Sequence, residues 1–407
     1  MQRPSFDKKI ELLAPAGDLS RAKTAILYGA DAIYLGGMHY SLRSRASNFT
    51  MEDIKEVCAF AKAHGARVHV TTNIIPHDED FDGVADYFKA LQDYGVTAII
   101  TASPSYMKIA KECAPKLEIH CSTQLSITNS QTAQYLADML QVDRVVLARE
   151  CTLQEVQEIT KHCPVETEAF IHGGMCVNYS GRCTLSNRMT LRDANRGGCA
   201  QSCRWQYHLL DKDKELSDEQ SMFSMGSKDL MSASIVKDLI LAGVSSLKIE
   251  GRMKTEYYVA SVVSGYRHLI DALYEKNFEL SEEELLFHTR EIVKGENRDI
   301  CTGFYEGDAG EESIIFHAYD NNHVSHDFLG RVQKYEDGIA YLLTRNPIDA
   351  GDVIEVLSPG IANRKFTVEW MQDDKGEMLT ASRRPMTIIS MPVPFVVKEG
   401  DIFRRAG

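Results

Sequence analysis

The sequence predicts an α/β protein: a (β/α)8 TIM-like barrel with a Cys-rich insertion after strand seven, followed by a small C-terminal β-barrel domain. Over the first 275 residues, eight short apolar segments alternate with segments whose apolar residues recur at i, i+3 and i+4, the spacing of amphipathic helices. From about residue 327 the pattern changes to short strands separated by turn sequences such as EDG and DDKG. A doubly wound open sheet is the alternative, but no GxGxxG or GxxxxGK[ST] motif follows any predicted strand.

Each of the eight predicted barrel strands is an apolar run that ends at Gly, Asp or another polar residue. They cover residues 10–16, 32–36, 67–73, 98–102, 118–124, 144–149, 166–172 and 246–250. Helices are predicted in most of the gaps, for example at 51–64, 130–140 and 152–162. The regular alternation favours the closed barrel over the open sheet.

Three domains follow from these patterns. Residues 1–275 form the barrel, with the Cys-rich insertion at 174–228, and a polar stretch (211–220) precedes a predicted helix at 230–242 that leads into strand eight. Residues 276–326 form a helical connector, in which Ser281 and Glu284 match a capping box. Residues 327–407 form the small β domain.

Composition limits the classes of function. The formal net charge of −13 argues against a general polyanion binder, because phosphate contacts require Lys and Arg. The N-terminal sequence has no apolar signal region, and no run of 18 apolar residues occurs. We therefore expect a cytoplasmic protein that does not enter a membrane. In that compartment clustered cysteines indicate a metal or catalysis rather than disulfides.

Four of the ten cysteines are clustered in the insertion: Cys176, Cys183, Cys199 and Cys203. Six, fifteen and three residues separate them, which matches neither the CxxC knuckles of most zinc ribbons nor a common ferredoxin motif. Four thiolates close in sequence indicate an iron-sulfur cluster or a structural zinc. The alternative is four unrelated thiols.

The insertion is locally basic. Between residues 181 and 205 a single acid, Asp193, stands against five arginines: Arg182, Arg188, Arg192, Arg196 and Arg204. In an acidic protein this imbalance favours an anion-binding surface, and the alternative is a solvated loop. These five arginines are the candidate anion-binding residues.

Polar residues follow several predicted strands, where a (β/α)8 barrel has its active-site face. They are residues 71–73, residues 122–124, Arg149, Glu150, His172, Glu250 and Arg252. The candidate catalytic residues are Arg149, His172, Glu250 and Arg252. The two arginines can clamp a carboxylate or phosphate. Glu250 can act as a general acid or base, or only orient an arginine, and His172 can transfer protons or hold a structural position.

Three long segments carry a resemblance to a known family. They are ELLAPAGDLSRAKTAILYGADAIYLGG near the N-terminus, EAFIHGGMCVNYSGRCTLS around Cys176, and SLKIEGRMKTEYYVASVV after residue 245. They resemble the U32 "peptidases", the collagenase-like family, over nearly the whole chain. The segment NRMTLRDANRGGCAQSCRWQYHLL is most similar to the subgroup that synthesises 5-hydroxyuridine in tRNA.

The resemblance implies a [4Fe–4S] cluster on Cys176, Cys183, Cys199 and Cys203. It also implies hydroxylation of carbon 5 of the wobble uridine in the tRNA anticodon stem-loop, with prephenate as a co-substrate. The strand-end arginines would suit the two carboxylates of this acid. With RNA as the substrate, the five arginines of the insertion become the candidate RNA-binding residues. Further candidates for gripping RNA lie in the β domain: Arg345, Arg364, Lys365, Arg383 and Arg384. A paired homologue is left open as a partner.

Two other functions are kept as alternatives. One is a U32-family peptidase, although the sequence has neither HExxH nor GxSxG. The other is a non-catalytic RNA-binding protein with a structural zinc, which metal analysis would distinguish from an iron-sulfur enzyme.

Overall fold

The computed structural model describes residues 9–42, 48–217, 222–307, 309–310, 313–314 and 327–406. Outside these residues lie 1–8, 43–47, 407, residues 218–221 at the end of the polar stretch in the insertion, and part of the predicted connector (308, 311–312 and 315–326). No helix in the described part of the chain is long and apolar enough to cross a membrane.

The predicted barrel is confirmed. Eight parallel strands pair in chain order, and the eighth pairs with both the seventh and the first, which closes the sheet. The strands are Glu11–Pro15, Ala32–Gly36, Arg67–Thr71, Ala98–Thr101, Glu118–Cys121, Arg144–Val146, Glu166–Gly173 and Ser246–Ile249. Most predicted strands extend too far at the C-terminal end, so residues such as Arg149 lie in the loops above the sheet.

Helices surround this sheet and supply the outer half of the core. The helices after the eight strands are Leu19–Leu27, Met51–Ala63, Val84–Asp93, Pro104–Cys113, Ser130–Leu140, Leu153–His162, Val236–Leu241 and Glu256–Glu275. Several begin at a side-chain cap, for example Thr50, which forms a capping box with Asp53. Alternate strand residues such as Leu12, Ile33 and Val145 are buried in this outer core.

The inward-facing residues of the strands include many charges, whereas barrel interiors are usually filled by branched apolar side chains. Arg144, which is 1% exposed, contacts the carboxylates of Glu11, Glu166 and Glu168. Lys248 donates to Glu168 at 2.7 Å. Removing either partner would leave a buried charge uncompensated, so this network requires each of its members.

Two buried histidines lie beside this network, with the rings of His69 and His120 4.7 Å apart and edge to face. Burial lowers the pKa of both well below the usual 6.5, and Arg144 reinforces the effect. In the unfolded chain each would bind a proton near pH 6.5, while the folded chain would not.

The free energy of unfolding is therefore expected to fall as the pH drops below about 6.5, by up to about 1.4 kcal/mol per pH unit for each histidine. Urea unfolding at pH 7.5, 6.5 and 5.5 measures this slope. The His69→Gln variant should reduce it, whereas His162→Gln, which changes an exposed helix-end histidine, should not. An unchanged slope in His69→Gln would contradict the assignment.

One predicted element is wrong. The sequence predicts a helix from residue 230, but Asp229–Met231 is a strand antiparallel to the end of strand seven, with Leu230 opposite Gly173. The helix begins only at Val236. Leu230 packs on Val146 and Phe170, so tertiary pairing prevails over the local helical spacing.

The Cys-rich insertion between Gly173 and Asp229 contains little regular structure. It contains the helix Leu185–Thr190, the 3-10 turns Tyr179–Gly181, Ala194–Arg196 and Ser202–Arg204, and the hairpin strands Leu210–Asp211 and Lys214–Glu215. It follows the C-terminal end of strand seven, so it begins on the face of the barrel where active sites form.

The connector helix Glu282–Val293 begins at the predicted Ser281 cap, and the capping box with Glu284 is confirmed. The C-terminal region is an antiparallel β domain with its own buried cluster. The strands of its main sheet are Phe328–Glu336, Ile339–Thr344, Val353–Ser358, Ile361–Thr367, Met371–Gln372, Met378–Leu379, Ile388–Pro392 and Ile402–Arg405. Phe328 stacks on Tyr257 of the last barrel helix, with ring centroids 5.0 Å apart.

Candidate active site at the barrel mouth

Arg252 lies buried at the C-terminal mouth of the barrel. Its guanidinium donates to the hydroxyls of Ser41 at 3.0 Å and Thr71 at 3.1 Å, and to the carbonyl of Leu42. A side chain on Gly36 would collide with it, because the Cβ position is 2.1 Å from Arg252 Nη1. Arg252 therefore links the loop after strand eight to the end of strand three.

Arg149 is the more available cation at the mouth. Its guanidinium lies 3.8 Å from the ring centroid of Phe170, and the side chain is half-buried. Among the residues that the structure describes, no carboxylate pairs with Arg149. Lys248 lies 5.3 Å from the same ring centroid and pairs with Glu168, so its charge is already compensated. Arg149 can therefore bind an anion without first giving up a protein partner.

Glu250 is held by its backbone. Its N–H donates to the carbonyl of His172 at 2.8 Å, and its carbonyl accepts from the hydroxyl of Tyr258 at 2.8 Å. The carboxylate lies against Gly174, where a Cβ atom would be 3.4 Å from Glu250 Oε2. This position puts the carboxylate next to the start of the Cys-rich insertion.

His172 is fully buried, and both ring nitrogens have protein partners. Nε2 is 2.5 Å from Glu296 Oε1, and Nδ1 is 3.2 Å from the hydroxyl of Tyr266, on the last barrel helix. A β-bulge explains why the His172 side chain points towards the last barrel helix. Lys248 pairs with Phe170 and Ile249 with His172, which leaves one residue of strand seven unpaired. His172 thus lies behind the wall of the mouth, and its proposed proton transfer stays a prediction.

A buried acid that the sequence reading missed lies beside this wall. Asp229 is fully buried and is contacted by Lys254 at 3.1 Å, Arg204 at 3.2 Å and Arg298 at 3.7 Å. Burial alone would raise its pKa, but the three cations hold it below the ordinary value. Lys254 also contacts Glu296 at 3.4 Å, so the network runs from His172 to Arg204, the neighbour of Cys203. Only its folded position next to strand seven identifies Asp229.

The four clustered cysteines affect one another electrostatically. The pKa of the Cys203 thiol is raised by burial and then by Cys176, Cys199 and Cys183. Burial also raises the pKa of Cys176, while nearby Arg149 opposes the shift and so places this thiol beside the mouth. Within the described residues, no three His, Cys, Asp or Glu side chains are close enough to hold a metal ion. Four thiols match the number and type of ligands that a [4Fe–4S] cluster takes.

Contacts of Ser180 and Arg196 fix the insertion to the barrel, and Asn195 braces the insertion internally. Ser180 N–H donates to Glu150 at 2.7 Å, after strand six. Arg196 pairs with Asp80 in the loop after strand three. Asn195 accepts from the N–H of Cys183 at 3.1 Å and donates to its carbonyl at 2.9 Å. The cysteines are therefore carried by a loop that is attached on both sides of the mouth.

The five candidate RNA-binding arginines differ in their environments. Arg196 and Arg204 pair with acids of the barrel region, and Arg192 donates to the carbonyl of Cys199 at 3.3 Å. Arg182 and Arg188 are exposed, and neither pairs with an acid in the described part of the chain. These two arginines are the most available for phosphate.

The candidate cations of the β domain also differ. Arg383 pairs with Asp349, Lys365 lies 3.8 Å from Glu355, and Arg364 lies over the ring of Phe395. Arg384 is exposed, and Arg345 donates to the sulfur of Met386 at 2.7 Å. Arg384 and Arg345 thus form no ion pair with a described acid.

Comparison with known proteins identifies relatives over almost the full length. A Bacillus subtilis protein named tRNA hydroxylation protein P1 is 43% identical, and the match covers 98% of this chain and 95% of the relative. The Escherichia coli 23S rRNA 5-hydroxycytidine C2501 synthase is 35% identical over 86% of this chain and 52% of its own length. A Porphyromonas gingivalis protein named collagenase is 31% identical over 96% of each chain.

Family models match both parts of the molecule. The model for peptidase family U32 matches residues 17–315, which include barrel strands two to eight and the Cys-rich insertion. The model for the C-terminal domain of that family matches residues 324–404, which include the antiparallel β domain. The chain therefore belongs to peptidase family U32.

Proposed function

We propose that this chain hydroxylates RNA, and specifically that it replaces the hydrogen on carbon 5 of the wobble uridine of tRNA with a hydroxyl group, a two-electron oxidation that requires an oxidant from outside the chain. The observation that carries the proposal is the near full-length similarity to a tRNA hydroxylation protein at 43% identity. The 5-hydroxycytidine synthase among the relatives supports pyrimidine hydroxylation as the class of reaction.

The barrel mouth suits a base that has left its stack. A nucleobase in a duplex cannot reach an enclosed site, whereas the bases of an anticodon loop can be turned outward. Arg149 and Glu250 face this region near the start of the Cys-rich insertion. The exposed Arg182 and Arg188 would contact the phosphates of the loop, and Arg345 and Arg384 would extend the contact onto the β domain.

Cys176, Cys183, Cys199 and Cys203 would hold the [4Fe–4S] cluster. A cluster bound there supplies redox-active iron beside the mouth. Arg149 would hold a carboxylate of prephenate, since its guanidinium is oriented by Phe170 and free of an acidic partner in the described chain. Arg252 would contribute a second positive charge from across the mouth, while its bonds to Ser41 and Thr71 keep it in place.

Peptide hydrolysis is the second candidate, favoured by the similarity to a protein named collagenase. The sequence contains no HExxH or GxSxG motif to supply the chemistry. Highly purified protein incubated with unfolded collagen tests this candidate, and cleavage that a single point variant abolishes would support it.

Nucleoside mass spectrometry tests the proposed hydroxylation. Transfer RNA from cells lacking the gene should have lost 5-hydroxyuridine and its derivatives, while tRNA from the parent strain retains them. Other modified nucleosides of the same tRNA serve as the internal control. Equal amounts of 5-hydroxyuridine derivatives in the two strains would reject the proposal.

A further inference from the structure

Gln124 lies in the 3-10 turn Thr123–Leu125, directly after strand five at the mouth. Thr123 donates its hydroxyl to the carbonyl of Leu147 at 3.0 Å, and Leu125 packs on the outer core. A 3-10 turn has three residues per turn, so its three side chains point in three different directions. Thr123 and Leu125 occupy two of these directions, and the Gln124 side chain occupies the third. The turn Tyr179–Gly181 of the Cys-rich insertion packs on this turn, so Gln124 lies at the junction of mouth and insertion.

The amide of Gln124 is buried with an incomplete set of partners. The residue is 4% exposed, and within the described chain its Oε1 accepts no hydrogen bond. A buried acceptor without a partner destabilises the fold, and an apolar residue of the same shape would avoid this cost. Retaining an amide here therefore points to a partner that arrives from outside the chain.

The surroundings match a polar planar ligand. Glu150, tied to Ser180 on the adjoining turn, and Arg149 with its accessible guanidinium follow strand six, the neighbour of strand five. A carboxamide offers one acceptor and two donors in a plane. Uracil presents an N3–H donor beside carbonyl acceptors, which is the complementary pattern, whereas cytosine presents the reverse order of donor and acceptor.

We propose that the Gln124 amide reads the hydrogen-bonding edge of the target pyrimidine, with Oε1 accepting from N3–H and Nε2 donating to an adjacent carbonyl of uracil. The proposal rests on the RNA hydroxylation proposed above and makes Gln124 a specificity residue. Contact along this edge leaves carbon 5 uncovered. An amide held in this orientation favours uridine, and an amide turned by 180° would favour cytidine.

Substitution of Gln124 by Met tests this role, because Met has a similar volume and no amide. In cells lacking the gene, the Gln124→Met variant should restore 5-hydroxyuridine about tenfold less effectively than wild type, since a bidentate base contact is lost. Its thermal midpoint should equal or exceed that of wild type, because the unpaired buried acceptor is gone. Gln134→Met, on an exposed helix face of the same βα unit, is the matched control and should behave as wild type.

A tRNA with cytidine at the target position provides the second readout. Wild type should modify uridine in preference to cytidine, and Gln124→Met should lose that preference. Unchanged preference in the variant, or loss of modification together with a lowered thermal midpoint, would overturn the base-reading role. If wild type itself restores no 5-hydroxyuridine, the proposed hydroxylation fails, and this inference fails with it.

Discussion

Serine in place of Cys203 is expected to remove iron from the purified protein and to abolish RNA hydroxylation. A thiolate is a soft ligand that iron-sulfur clusters prefer, and a serine hydroxyl is a poor substitute. The same result is expected for Cys176, Cys183 and Cys199, because a [4Fe–4S] cluster takes four thiolate ligands. Elemental analysis of protein purified without oxygen should find about four irons per wild-type chain.

The matched control for these variants is Cys163→Ser, at the end of the helix Leu153–His162 and outside the insertion. It should keep the iron content and activity of wild type. One zinc and no iron in the wild-type protein would contradict the cluster and favour the structural-zinc hypothesis instead. Wild-type iron content in all four insertion variants would show that the ligands lie elsewhere.

Asparagine in place of Asp229 is expected to lower the free energy of unfolding by about 3 kcal/mol, because one buried anion compensates Lys254, Arg204 and Arg298. The three cations are partly exposed and can gain some hydration. The loss of stability should therefore lie at the low end of the range for an uncompensated buried charge. Urea unfolding at pH 7.5 measures it. Asp86→Asn, at an exposed helix position, should change stability by less than about 0.5 kcal/mol.

The same substitution should reduce RNA hydroxylation, because Asp229 positions Arg204 beside Cys203 and, through Lys254 and Glu296, is connected to His172. Activity should therefore fall at a temperature where the variant is still folded. A variant with wild-type stability would contradict the electrostatic account of Asp229. If the fully folded variant still hydroxylates RNA at the wild-type level, the network supports the fold alone.

Much of the fold can be predicted because the strands are apolar runs at regular separation. Each run is followed by apolar residues at helical spacing or by a helix-capping residue. The charged interior could also have been noticed, since RVHVT alternates polar and apolar residues and ETEAF has glutamates two residues apart. Alternation identifies which residues share a face. It does not show that Arg144 and Glu11, which are 133 residues apart in the sequence, meet inside the barrel.

Some residues of the candidate site can likewise be predicted from the sequence, and others cannot. The cysteines and Arg149 are visible in the sequence because they are clustered or follow a strand. Asp229 is hidden, because the apolar residues after it suit a helix as well as a strand, and pairing with strand seven decides between them. Glu296 and Arg298 follow the connector helix in a stretch with no periodic pattern, so only the folded chain brings them to His172 and Asp229.

The central claim is that the chain hydroxylates the tRNA wobble uridine through a site that depends on the clustered cysteines. The most direct measurement is the 5-hydroxyuridine content of tRNA from cells that lack the gene and carry either the wild-type gene or the Cys203→Ser gene. The wild-type gene should restore the modified nucleoside, and the Cys203→Ser gene should leave it absent. Failure of the wild-type gene to restore it, or full restoration by Cys203→Ser, would contradict the account.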